Sequence, residues 1–281
     1  MLSDSIRYCA TFFISLVIAS SACVPSQPTG EAPVESATQS KSKPKSTSPK
    51  SPSTKATSNK PASSKPAPAK QTSGSSDGTE SSPQAELIRT TFEDKFERTA
   101  IGLDWLRLGS AWSIKEGKLC AKGAKNRGIW LRRRLPVNAR IEFDATSDSQ
   151  DGDIKAEYWG DGASGATSVS YTNATSYLTI LGGWKNSFHV LARIDEHDAN
   201  RLEIRTKPGA NTEREKPVVP GQMYRFRVER TDGKTISWWV NDTLMHKYED
   251  SEPLSGGGHE HFGFNNWEVP VCFDNLVITP L

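Results

Sequence analysis

The chain has 281 residues, 24% of them charged and 35% hydrophobic, with a formal net charge of +2. That average joins two different polymers: all 8 Trp and all 5 His lie after position 85, whereas 10 of the 17 Pro lie between 24 and 85. Residues 24–85 carry eight Lys against four acids, and residues 86–281 carry 26 Lys and Arg against 28 acids. The globular part therefore has no cationic surplus for neutralising phosphates, and no nucleic-acid partner is expected.

Arg7 precedes an apolar run from Ala10 to Ala19, which is followed by Ser20, Ser21, Ala22 and Cys23. This is the layout of a secretory signal over residues 1–22, and an apolar run this short does not span a bilayer. The sequence Ser-Ser-Ala-Cys resembles the lipobox of bacterial lipoproteins, which implies a lipid on Cys23 and a membrane partner through that anchor. Ser20 departs from the Leu, Val or Ile usual there, and cleavage after Ala22 by an ordinary signal peptidase, giving a secreted protein, is the alternative. Under the sorting rule for Gram-negative lipoproteins, Val24 points to the outer membrane of a bacterial cell envelope. Residues 23–85, built from Ser, Thr, Pro, Ala and Lys without an aromatic residue, have too little apolar surface to offset their ordering entropy and read as a disordered linker. Such a coil reaches roughly 40–50 Å.

Residues 86–281 are long enough for one sizeable core and read as all-β. Period-two runs alternate with Gly, Asp, Asn and Pro signals. In chain order they are TTFEDKF, WSI, KLCAK, GIWLRRRL, ARIEFDAT, IKAEYW, TSVSYT, YLTIL, SFHVLAR, RLEIR, MYRFRVER, TISWWVN, TLMHKYE, HEHFGFN and VCFDNLVIT. The span from Ala100 to Leu108 reads as a loop or a turn of helix. Alternation puts Ile141, Phe143 and Ala145 on one face and Glu142 and Asp144 on the other. The same count sets Ile154, Ala156 and Tyr158 against Lys155, Glu157 and Trp159. It places Trp130 with Arg132 and Arg134, Trp239 with Ser237, and Trp267 with His259, His261 and Asn265. Four tryptophans thus fall among charged and amide side chains. Indoles pack against the C–H face of a sugar ring while polar groups take its hydroxyls. Trp130, Arg132, Glu142, Asp144, Trp159, Trp239, His261, Asn265 and Trp267 are therefore the candidate ligand-binding residues, and burial of the rings under loops is the competing reading.

Three further motifs carry less. Gly160 to Gly165 matches GxGxxG, but a β-branched stretch follows where a dinucleotide site needs a helix. His259 and His261 share a strand face, a zinc arrangement only if His246 or His189 approaches. Asp148, Asp151 and Asp153 make an oxygen-rich turn of the kind that holds calcium.

The segments FEDKFERTAIGLDW, WSIKEGKLCAKG and HFGFNNWEVPVCFDNLVITPL resemble the concanavalin A-like lectin/glucanase superfamily, in particular bacterial secreted lipoprotein domains similar to 3-keto-disaccharide hydrolases. The resemblance covers nearly all of 86–281. It implies a two-sheet antiparallel jelly-roll sandwich whose last strand returns beside an early one. It also implies a structural calcium at Asp274 with Glu93 or Asp94; no other cofactor is expected. Glucanases of this superfamily carry Glu-x-Asp-x-Glu or Glu-x-Asp-x-x-Glu on one strand. Here Glu142 and Asp144 are followed by Thr146 and Ser147, so the third carboxylate is missing and only a weak catalytic set of Glu142, Asp144 and Glu157 remains. In such a jelly roll Cys120 and Cys272 lie on adjacent strands and one face, which suits a disulfide in an exported domain; two buried free thiols are the alternative. The expectation is a monomeric domain binding carbohydrate or a cell-wall polymer. A glycoside hydrolase and a purely structural or protein-interaction sandwich are the alternatives.

Overall fold

A computed structural model describes residues 85–281; the signal, Cys23 and the linker up to residue 84 lie outside the described residues. Fifteen strands follow one another: β1 (Phe92–Asp94), β2 (Trp105–Arg107), β3 (Trp112–Lys115), β4 (Lys118–Ala121), β5 (Ile129–Leu131), β6 (Ala139–Ser147), β7 (Ile154–Gly160), β8 (Tyr177–Gly182), β9 (Phe188–Arg193), β10 (Leu202–Arg205), β11 (Met223–Arg230), β12 (Thr235–Val240), β13 (Thr243–Glu249), β14 (His261–Asn265) and β15 (Val271–Pro280). One sheet runs β13-β12-β11-β6-β15-β4-β3, with β1 also pairing β15; the other runs β10-β9-β8-β7-β14-β5-β2. Consecutive strands β6 and β7, like β14 and β15, belong to opposite sheets, so the chain crosses between layers as a jelly roll does.

The alternation of β6 explains the core. Ile141, Phe143 and Ala145 are fully buried, while Glu142 and Asp144 face outward. Phe143 lies at the centre, its ring centroid 4.8 Å from Phe226, 5.1 Å from Phe264 and 6.0 Å from both Phe262 and Phe273, so both sheets contribute. Burying each such ring contributes about 1.5–3 kcal/mol. Strands β8 and β9 are apolar on both faces because a second small core, in which Tyr171 and Ala174 cover Leu178, Ile180, Val190 and Ala192, lies outside the seven-stranded sheet.

Three expectations are corrected here. Trp105–Arg107 is a strand, not a turn; its three residues pair with β5 and bury only Trp105, too short a run for alternation to register. TSVSYT, read as a strand, is an irregular segment within 161–176 that folds over the seven-stranded sheet and buries Tyr171. Trp159 does not share the outward face of Lys155 and Glu157. The register with β14 slips between His261 and Gly263, Trp159 takes a φ of 53°, and its ring turns into the core. There its Nε1 donates to Pro136 O (3.1 Å), and the Arg230 guanidinium lies 3.9 Å over the ring.

Candidate functional site

The residues singled out by alternation do not converge. Glu142, Asp144 and Trp239 lie on the outward face of the eight-stranded sheet, where Arg225 pairs with Asp144 (3.2 Å) and Glu142 (3.6 Å), and Arg227 stacks on Trp239 (4.3 Å). On this surface the carboxylates are taken up in ion pairs. Glu157 lies on the other sheet, so β6 and β7 are not neighbours and the three carboxylates form no catalytic set. Trp130 lies outside the seven-stranded sheet but is 1% exposed. It spreads over Gly160 and Gly263, where an added Cβ would meet the ring at 2.5 and 2.7 Å, and its Nε1 donates to Ser164 O in the overlying segment. Burial under a loop therefore holds for Trp130. Arg132 is exposed beyond β5.

Beneath that segment lies a closed polar network. The Glu157 carboxylate accepts from Tyr171 Oη (3.0 Å), Ser176 Oγ (2.6 Å) and Asn265 Nδ2 (2.5 Å). Burial nonetheless pushes its pKa up to about 7, against these donors and the Lys155 charge. Glu157 and Asn265, at 1% and 0% exposure, are structural and out of ligand reach.

The histidines and acids proposed for metals are likewise engaged. His259 Nδ1 meets Thr175 O (2.7 Å) and His261 Nδ1 meets Leu131 O (2.9 Å). Asp94 accepts both Arg98 Nη atoms (2.6 and 2.8 Å), Trp105 Nε1 (2.8 Å) and the Phe96 N–H (2.9 Å), leaving nothing for a cation. Glu93 is exposed, and Asp274 stands beside Asp144 on the outward face of the eight-stranded sheet. Among the described residues no three His, Cys, Asp or Glu side chains come together as a metal site.

What the topology does bring together is a cleft of about 370 Å³ at the start of β7. Strands β8 and β14 flank β7, and both run antiparallel to it: Leu181 faces Ile154, and Asn265 faces Lys155. Their C-terminal ends therefore stand on either side of the first residues of β7. The turn after β8 carries Trp184, and the turn after β14 carries Trp267, so two indoles line a cleft floored by Asp153 and Lys155. The segment after β9 adds Glu196 and His197.

Each wall is fixed. Asn266, fully buried, donates to Val269 O (2.7 Å) and accepts the Ala124 N–H (3.1 Å), which sets the Trp267 turn, and Lys125 lies 4.3 Å over the Trp267 ring. Arg201 lies 4.0 Å over Trp184, and His197 meets its edge at 5.6 Å. In the β8–β9 turn, Trp184, Lys185 and Asn186 have φ of 50°, 56° and 60°. Such left-handed residues cost roughly 1–2 kcal/mol each without a glycine. Lys155 Nζ donates to Glu196 (2.7 Å) and to Asn126 Oδ1 (3.0 Å). Burial disfavours its charge, but Asp153 and Glu196 outweigh that and raise its pKa. Burial and the nearby Glu196 and Asp151 charges hold the Asp153 carboxyl above the usual range. The site thus offers aromatic faces beside charge-assisted donors and acceptors. Sequence reading missed Trp184, Lys155 and Glu196 as a group; the one local signal was GGWKN, an indole in a hairpin turn between two apolar strands.

The architecture is a two-sheet antiparallel jelly-roll sandwich. It is similar to the carbohydrate-binding module CBM66 from Bacillus subtilis (15% identity, 64% of this chain and 96% of that chain, TM-score 0.47). It is also similar to the Bacillus licheniformis β-glucanase (8% identity, 69% and 99%, TM-score 0.48) and to the Emp47p carbohydrate recognition domain (13%, 73% and 99%, TM-score 0.46). No protein-family model and no curated protein matches the sequence. Each likeness is one of chain path, and the fold assignment rests on the strand order above.

Proposed function

We propose that residues 86–281 form a carbohydrate-binding domain whose ligand lies in the cleft between Trp184 and Trp267, held at a bacterial envelope by a lipid on Cys23 and the linker 23–85. The carrying observation is the pair of indoles set on either side of the charged start of β7. Sugar rings stack on indole faces while polar groups meet their hydroxyls; at the cleft floor Asp153 is half-buried, and the Lys155–Glu196 pair is buried beneath it, setting the charge of the floor rather than reaching a ligand. Binding is favoured over hydrolysis because Glu142 and Asp144 stand on one sheet and Glu157, buried, on the other. A glycan array probed with the full chain tests this reading. Trp184→Ala and Trp267→Ala each weaken retention about tenfold, one stacking contact's worth; retention indifferent to both sinks the assignment. For the anchor, Cys23→Ser moves the chain from the membrane fraction to the soluble fraction, and unchanged fractionation refutes it.

A further inference from the structure

The left-handed β8–β9 turn is over-determined by its surroundings. Asn186 Oδ1 accepts the Val218 N–H (2.8 Å), and its Nδ2 donates to Val218 O (2.8 Å) and Gln150 O (3.1 Å). Gly182 clears the space, since a Cβ there would stand 2.5 Å from Asn186 Oδ1. Strain held this way concentrates where it places a group that meets a ligand. What this turn places is Trp184 in the cleft and Lys185 at a junction, for Lys185 also lines an adjoining groove of about 610 Å³. The groove's only other charged lining residue is Arg205, held 4.8 Å over the Phe188 ring, and no acid lines it. Nearby Lys207 and Lys216 are neutralised by Glu215 and Glu213, whereas Lys185 and Arg205 make no ion pair among the described residues. Each of the two spaces alone has the volume of a small-molecule site, so together they admit several sugar rings.

We propose that the ligand is an acidic polysaccharide whose uncharged rings lie in the tryptophan cleft, which Asp151, Asp153, Glu196 and Glu268 also line, and whose carboxylate or sulfate substituents lie beyond it in the acid-free groove, taken by Lys185 and Arg205. The proposal rests on the carbohydrate reading of the cleft and deepens it. Affinity electrophoresis of the full chain in gels carrying a neutral β-glucan, a polyuronate or a sulfated galactan tests it, the last two arms separating carboxylate from sulfate. The expected result is retardation about tenfold stronger in at least one acidic gel, lost in the Lys185→Gln/Arg205→Gln variant. The control pair Lys122→Gln/Lys247→Gln, exposed lysines away from the groove, behaves as the unmodified chain in every gel. Equal retardation in neutral and acidic gels, or acidic retardation indifferent to the double variant, overturns the proposal. If Trp184→Ala still weakens neutral retardation about tenfold, the carbohydrate reading stands without it. No retardation in any gel overturns both.

Discussion

His189 shows how one buried ring sets a response to acid. Its Nδ1 accepts the Gly182 N–H (3.0 Å) and its Nε2 meets Lys216 O (2.9 Å), an arrangement that only the neutral imidazole satisfies. Burial lowers its pKa to about 4, and does the same to His246, which stacks 5.8 Å from Trp238. Unfolded histidine titrates near 6.5, so between about pH 4 and 6.5 the unfolded chain binds more protons and stability falls as pH falls. Glu157, raised by burial to about 7, has the opposite sign: its contribution is largest below the unfolded carboxylate value and is lost as pH rises toward 7. Each histidine contributes a loss on the order of 2–3 kcal/mol from pH 6.5 to 4, which Glu157 and Asp153, both raised by burial, oppose. Urea unfolding at both pH values in the unmodified chain and in the His189→Gln/His246→Gln variant isolates the histidine part: the variant should lose less stability, or gain some, on going to pH 4. An unchanged slope in that variant would exonerate the two imidazoles.

The segment 161–176 owes its position to a few contacts rather than to regular structure. Tyr171 packs its ring with Ala174 over Leu178 and Ile180, and spends its hydroxyl on Glu157. Tyr171→Phe keeps the ring but removes one donor from a buried carboxylate that retains Ser176 and Asn265, a cost of about 1–2 kcal/mol. Limited proteolysis should then cut within 161–176 faster than in the unmodified chain. Equal cleavage rates would show that the apolar contacts alone hold the cover. The period-two pattern of TSVSYT has the composition of a strand, but Tyr171 finds its partners across a covering loop, and no local pattern distinguishes the two outcomes.

Across the domain, a cross-link joins an early strand to the last. Cys120 on β4 and Cys272 on β15 are direct cross-strand partners and form a disulfide across a sequence separation of 152. Closing so long a loop contributes about 4–5 kcal/mol through the entropy of the unfolded chain. The Cys120→Ser/Cys272→Ser variant should lose stability of that order in urea unfolding; a loss below about 1 kcal/mol would show that the β4–β15 ladder constrains the ends without the bond. This pairing, the all-β class and the inward face of β6 were legible in the sequence because alternation and cysteine placement are local signals read through one resemblance. The site was not. Trp130 and Trp159 belong to polar-looking faces by count, yet a covering loop buries the first and a one-residue slip in register turns the second inward. Trp184 and Trp267 are 83 residues apart and share a cleft only because β8 and β14 both run antiparallel beside β7. Side-chain periodicity determines which face a residue takes within its own strand; which strands become neighbours, and what covers them, is decided by long-range packing alone.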